Sequence, residues 1–213
     1  MSVKLNPEKA LIFRIVHVAN VPWILDHGLH CRTSPEQDSN YLNIGNKDLI
    51  DHRAHRKVPI PPGGVLSDYV PFYFTPFSPM MLNIKTGYGG ITKRNNRDIV
   101  IFVSSIHRIA ELGLPFVFTN QHAYTVDAEF FSRVEDLNRI DWPLLQSRNF
   151  KTNDADPGKG SRYQAEALIQ RHVPLEALLG IGCHTDGVRQ QLQSVIETRG
   201  LSVTIKATPT WYF

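Results

Sequence analysis

The densest chemistry in the chain lies at 52–57, His-Arg-Ala-His-Arg-Lys. His52 and His55 are three residues apart and so share a helix face. A third ligand at a convincing spacing is absent, and no metal is expected. Arg53 and Arg56 can each fork onto anionic oxygens, which suits a phosphate. A solvated basic helix end is the alternative, and spacing alone favours neither. His17 lies inside the apolar run Arg-Ile-Val-His-Val and reads first as a core histidine. Tyr73 and Phe74, in Val-Pro-Phe-Tyr-Phe-Thr, read as core too.

The most informative segment is 141–170. Its first part, 141–161, carries Pro143, Asn149, Asn153, Asp154, Asp156, Pro157, Gly158 and Gly160 and reads as loop. A polar loop of about twenty residues in a compact chain is unusual and often functional. Arg148, Lys151, Lys159 and Arg162 make this stretch basic, and Trp142 and Phe150 are its aromatic residues. Residues 162–170, Arg-Tyr-Gln-Ala-Glu-Ala-Leu-Ile-Gln, follow. As a strand, they would send Gln164 and Glu166 to one face and Tyr163, Ala165 and Ala167 to the other. An amide beside a carboxylate suits the holding of a ribose hydroxyl. An ordinary solvent-facing pair on an edge strand has the same pattern.

These residues need elements to position them. LIFRIVHV (11–18), VPFYFT (70–75), DIVIFVSS (98–105), PFVFT (115–119) and LSVTIKA (201–207) read as strands. Asn20 is placed to cap a helix through Trp23, Ile24 and Leu25 that stops at Gly28. Segment 46–57 has helical spacing and must end before Pro59. Ser104 or Ser105 caps a helix ending at Gly113. Residues 127–138 read as an amphipathic helix, and 186–199 as another, capped by Thr185 or Asp186 and stopped by Gly200. Many strands without long helices between them argue for α+β and against a doubly wound parallel sheet.

Composition narrows the classes. The 213 residues, 42% hydrophobic and 20% charged, can bury a core and are read as one domain, 1–213. The 14 glycines and 14 prolines exclude a collagen or a low-complexity linker. The longest apolar runs are far too short to cross a bilayer, and the N-terminus lacks a signal peptide's apolar region. Cys31 and Cys183 stand far apart without a CxxC context, so the plain reading is a cytoplasmic protein with two buried thiols. A net charge of +3 permits a nucleic-acid partner without demanding one. There is no GxGxxG, P-loop, HExxH or GxSxG, and the pairs Gly63-Gly64 and Gly89-Gly90 read as turns.

FRIVH with Asn20 and PWIL, NIGNKDLIDHRAHRKVPIPPGG, VLSDYVPFYFTPFSPM, FTNQHAY and RYQAEALI follow one another along the chain. As a set they resemble the DarT family of DNA ADP-ribosyltransferase toxins, from about residue 11 to 183. The resemblance implies an α+β fold of the poly(ADP-ribose) polymerase-like type, with a mixed, mostly antiparallel sheet and short surrounding helices. It implies a toxin that moves ADP-ribose from NAD to a base, thymidine, in single-stranded DNA and releases nicotinamide. NAD is then a co-substrate, no metal takes part, and a macrodomain antitoxin of the DarG type reverses the mark.

The same resemblance assigns residues by position. His17 and Asn20 match residues that bind the ribose and amide region of NAD. Arg53 matches an arginine over the NAD site that binds phosphate and helps deprotonate the target base, with Arg56 nearby. Tyr73 falls where an aromatic packs on nicotinamide. His122 matches a histidine near the reaction centre, Glu166 the catalytic glutamate, and Gln164 the residue two before it. Loop 142–162 matches the substrate-recognition loop, with Arg148, Phe150, Lys151 and Arg162 as DNA contacts. Phe150 replaces an expected Trp there, and GKGS (158–161) replaces a basic run.

The implied chemistry is consistent. Nicotinamide leaves through an oxocarbenium-like transition state, and a carboxylate bonded to the ribose 2′-hydroxyl stabilises the charge where it develops. A base nitrogen is a poor nucleophile while protonated, so a group must take its proton. Arginine stays charged, whereas histidine can accept. Transfer to RNA or protein is the alternative within enzymes. A non-catalytic nucleic-acid-binding module is the alternative outside them.

Overall fold

The structure is a computed structural model and describes residues 3–213. The first apolar run forms β1 (Leu11–His17), and α1 (Val21–His27) follows, ended by Gly28 at φ 79°. A Cβ on Gly28 would stand 2.5 Å from His172 Nε2 and 2.6 Å from the Val173 carbonyl oxygen, so the turn requires glycine. Next come β2 (Leu29–His30), a wall segment without regular structure at 31–46, and α2 (Lys47–Arg53). β3 (Tyr69–Tyr73) leads to α3 (Pro79–Thr86), and β4 (Ile99–Ser105) to α4 (Ile106–Glu111). After β5 (Phe116–Thr119) and β6 (Phe130–Phe131) come α5 (Trp142–Ser147) and α6 (Lys159–Arg162). The last elements are β7 (Glu166–Gln170), β8 (His172–Val173), β9 (Gly180–Cys183), α7 (Asp186–Glu197) and β10 (Ile205–Ala207).

Eight strands form one sheet in the order β10-β9-β4-β1-β3-β7-β5-β6, antiparallel except for β9 with β10. This is the expected α+β arrangement. β4 is central and apolar on both faces, so Val100, Ile101 and Phe102 are fully buried. Burial of each such side chain contributes about 1.5–3 kcal/mol. β1 runs along β4 over its whole length but meets β3 only at Phe13 and Tyr73. The sheet therefore opens between β1 and β3, and the functional cleft lies there.

Several expectations need correction. Residues 127–138 are not an amphipathic helix: Phe130 and Phe131 extend the sheet edge beside β5, and only Val134–Arg139 turn, as a 3-10 helix. Phe131 stacks on Phe118 at 5.4 Å, and that pairing outweighs the helical period. Residues 141–161 are not all loop. Asp141 accepts from the Leu144 N–H at 3.1 Å and caps α5, and Pro143 is tolerated in its first turn. Helix 46–57 is shorter than its spacing predicts, because Lys57 pairs with Val65 in the proline-rich turn. The strand at 162–170 begins only at Glu166, since α6 and a tight turn occupy the residues before it. The last strand covers Ile205–Ala207 rather than 201–207.

Candidate active site

Glu166 opens β7 directly opposite Tyr73 of β3, which itself faces Phe13 of β1. These three residues form a row across the sheet at its opening. The Glu166 side chain is only 1% exposed. Its Oε2 accepts from Arg53 Nη2 at 2.5 Å, and its Oε1 accepts from the Ala123 N–H at 3.1 Å. His122 Nε2 stands 3.9 Å from Oε1. The Glu166 N–H donates to Thr119 Oγ1 at 3.2 Å, which fixes the strand end.

Arg53 is the last residue of α2, a helix capped by Asn46, whose Oδ1 accepts from the Leu49 N–H at 2.9 Å. Burial opposes the charge on Glu166, but Arg53, His122 and the Ala123 N–H outweigh it and hold the carboxyl below its usual range. Burial works against Arg53 too, and the Glu166 carboxylate overcomes it, so the guanidinium stays charged more firmly than usual. Burial lowers His122 below the usual imidazole value, with Arg53 adding to it and Glu166 opposing. The site thus holds a carboxylate, a fixed cation and a neutral imidazole.

Two contiguous cavities of about 500 and 190 Å³ run around α2. The smaller contains Tyr73, His122 and Gln164, the larger Trp23, Arg32 and Lys47, and Arg14, Tyr41, Asn43 and Arg53 line both. The Tyr73 hydroxyl donates to Met80 Sδ at 3.8 Å, and burial pushes its pKa up to about 12. It stays protonated at neutral pH and presents an apolar ring to the cleft. Among the described residues no three His, Cys, Asp or Glu side chains are placed to share a metal ion, and His52 and His55 are exposed.

Arg53, Tyr73, His122, Gln164 and Glu166 are thus brought together from four separate stretches of chain. Gln164 reaches the cleft from a turn rather than from the strand face expected, with its amide donating to the Gly160 carbonyl at 2.9 Å. His17 and Asn20 do not line either cavity. His17 Nδ1 accepts from the Ala19 N–H at 3.1 Å and caps the turn after β1. Asn20 is buried, and instead of capping α1 its amide exchanges two hydrogen bonds with the Leu42 main chain, at 2.9 and 3.0 Å.

The residue missed in this strand is Arg14. Its Nη1 donates to the Pro71 carbonyl at 2.8 Å, while its Nε is buried with no hydrogen-bond partner among the described residues. An arginine inside an apolar central strand was the available signal, since arginine is rarely buried unless paired.

The expected DNA contacts in 142–162 are mostly engaged within the protein. Phe150 packs on Tyr163 at 5.1 Å and Phe213 at 6.1 Å. Arg148 lies over the Phe77 ring at 3.5 Å, and Arg162 bonds Asp156 at 2.8 Å and 3.0 Å and Asp141 at 3.3 Å. Trp142 is buried, and Lys151 is exposed to solvent.

The fold is the ADP-ribosyltransferase fold. The chain superposes on Thermus sp. 2.9 DarT in complex with ADP-ribosylated ssDNA with a TM-score of 0.88, 30% identity and 100% coverage of both chains. The same protein in complex with NAD+ gives 0.79, at 32% identity over 97% of this chain and 99% of that one. A likeness in fold alone extends to Thermosipho africanus DarTG in complex with ADP-ribose, with a TM-score of 0.77 and 18% identity over 95% of this chain and 51% of that one. The family model described as "ssDNA thymidine ADP-ribosyltransferase, DarT" matches residues 13–213, and the chain belongs to that family. A DNA ADP-ribosyl transferase of Escherichia coli O127:H6 is 51% identical over 100% of this chain and 97% of its own length. One from Thermus sp. is 35% identical over 97% and 98%.

Proposed function

We propose that Glu166 is the catalytic carboxylate of this chain and that Arg53 and His122 complete the reacting centre. The chain is an NAD-dependent DNA ADP-ribosyltransferase. The reaction breaks the bond between the nicotinamide ring nitrogen and its ribose carbon, and nicotinamide leaves with the electron pair. Ionised Glu166 accepts a hydrogen bond from the ribose hydroxyl and stabilises the cationic ribose as it forms. The thymine ring nitrogen then bonds to that carbon and loses its proton. Neutral His122 takes the proton, because its imidazole offers a lone pair at neutral pH while both Glu166 oxygens are engaged by Arg53 and the Ala123 N–H. Arg53 keeps Glu166 ionised and aligned, and its fixed charge favours the base anion.

Tyr73 supplies the apolar surface for the nicotinamide ring. Arg14, whose guanidinium side chain lines both cavities, holds an anionic or carbonyl oxygen of NAD. His17 and Asn20 support this site indirectly, as a cap and as the anchor of the wall. Residues 3–213 act as one catalytic unit. The residues resembling the family toxins support a cytoplasmic toxin role and a macrodomain antitoxin that removes the mark. No helix among the described residues is long and apolar enough to cross a membrane.

The observation that carries the catalytic reading is the ionised, 1% exposed Glu166 held beside the cleft by Arg53 and His122, which line it, and by the Ala123 N–H. Glu166→Gln should retain its far-UV circular dichroism and lose transfer by about 10²–10³-fold, the scale of one electrostatic group. Mass spectrometry of a mixed-sequence DNA oligonucleotide, and of the matching RNA, after incubation with NAD measures it. A folded variant within tenfold of the parent would overturn the assignment. Equal modification of the RNA would move the substrate class.

A further inference from the structure

Residues 120–129, between β5 and β6, are braced on every side. The His122 N–H donates to the Ser161 carbonyl at 3.0 Å, and Thr125 Oγ1 donates to the His122 carbonyl at 2.8 Å. Asn120 Nδ2 donates to Glu129 Oε2 at 2.7 Å, and the Glu129 N–H returns to Asn120 Oδ1 at 3.1 Å. Arg56 Nη2 donates to the Thr125 carbonyl at 3.2 Å and so ties the loop to the basic segment 52–57. The braced loop nevertheless carries two large apolar side chains in solvent, Tyr124 at 41% and Val126 at 89% exposure. Tyr124 follows Ala123, whose N–H touches Glu166. His52, His55 and Lys57 of the tied segment are exposed as well.

An exposed aromatic on a fixed backbone, one residue past the Ala123 N–H that bonds the reacting carboxylate and on a loop that Arg56 ties to a segment with exposed basic side chains, has the two parts of a single-strand binding surface. The ring offers a stacking face to any base, and the cations follow the phosphates. Phe150 is less free to do so, because its ring already packs on Tyr163 and Phe213. We propose that Tyr124 is the stacking platform for a base of single-stranded DNA flanking the acceptor, and that Lys57 contacts the phosphate backbone beside it. This rests on the DNA-transferase reading and gives the acceptor strand a path along loop 120–129 and segment 52–57.

The test uses the full chain and a fluorescein-labelled thymidine oligonucleotide read by anisotropy, together with transfer kinetics at saturating NAD. Tyr124→Ala should weaken DNA binding and raise KM for DNA by roughly 5- to 150-fold, the range that stacking of one base supports. KM for NAD should stay within twofold or so, and Tyr124→Trp should restore DNA affinity. A scan of single abasic sites adds a readout that mere loop stability would not move. One abasic position should cost the parent what Tyr124→Ala costs, and should cost Tyr124→Ala nothing more. Lys57→Ala should flatten the dependence of affinity on salt by about 0.7 of a unit of slope, the value for one phosphate contact on a single strand. Unchanged DNA affinity in Tyr124→Ala, or equal abasic penalties in parent and variant, would overturn the proposal. A parent that binds DNA through Tyr124 but transfers nothing would overturn the catalytic reading and leave the platform standing.

Discussion

Arg53→Ala leaves the Glu166 carboxylate in place, 1% exposed and without its cation. Removing one partner of a buried pair costs about 3–5 kcal/mol, because the remaining charge is uncompensated. A domain of this size loses about 2–4 °C per kcal/mol, so the melting temperature should fall by roughly 6–20 °C. The pH dependence carries the sharper signature. In the parent the carboxyl is held below its usual range, so the pair contributes stability above the ordinary glutamate pKa and loses it as pH falls through the lowered folded value. In Arg53→Ala burial prevails and the carboxyl moves up, so the variant loses stability as pH rises towards neutral. The deficit between the two should be largest near neutral pH and shrink under acid. Thermal melts across that range, with Glu166→Gln as a second background, complete the cycle. In Glu166→Gln, removing Arg53 should cost little or even stabilise, since an unpaired buried cation is then relieved. An equal deficit in both backgrounds, flat with pH, would refute the coupling of this pair.

The neutral His122 sets an acid limb: transfer should fall as pH drops through its lowered pKa, below the ordinary imidazole value, and pH–rate profiles of His122→Ala should lack that limb. Arg14→Ala should weaken NAD binding in calorimetric titration by about tenfold or more, the scale of a hydrogen bond to a charged group. His17→Ala should leave NAD affinity unchanged and lower stability by about 1 kcal/mol, the value of a lost cap, so the opposite ranking would return NAD to His17. Phe150→Ala should lower the melting temperature and leave the preference among oligonucleotides intact. A changed preference profile would show that the ring meets DNA.

Strands were legible where β-branched and aromatic residues run together, as in Ile99–Ser105, because that pattern buries both faces of a central strand. Helix caps were legible where one side chain decides them, as Thr185 does for α7 and Ser105 for α4. Pro143 hid α5, because a proline signals a break and a first helical turn alike. The reacting cluster could not be read from spacing: Arg53 and Glu166 lie 113 residues apart, and only the sheet register brings β7 under the end of α2. Family resemblance supplied each residue but not their pairing, and Arg14 needed the cavity itself. The packing of Trp142 and Phe150 was hidden for a different reason: an aromatic in a polar stretch carries no sign in the sequence of its partners, here Phe74 and Tyr163.

The two bonds between Asn20 and Leu42 imitate a peptide pair, and neither involves the Leu42 side chain. Such a clasp is blind to what residue 42 is. Position 42 can therefore drift without loosening its seat, so long as position 20 stays asparagine, while buried Cys31 and Ile44 anchor the two ends of the stretch 31–46. Natural variation in the larger cavity should gather there, and grafting this stretch from one relative to another should exchange substrate-wall chemistry while leaving the sheet untouched.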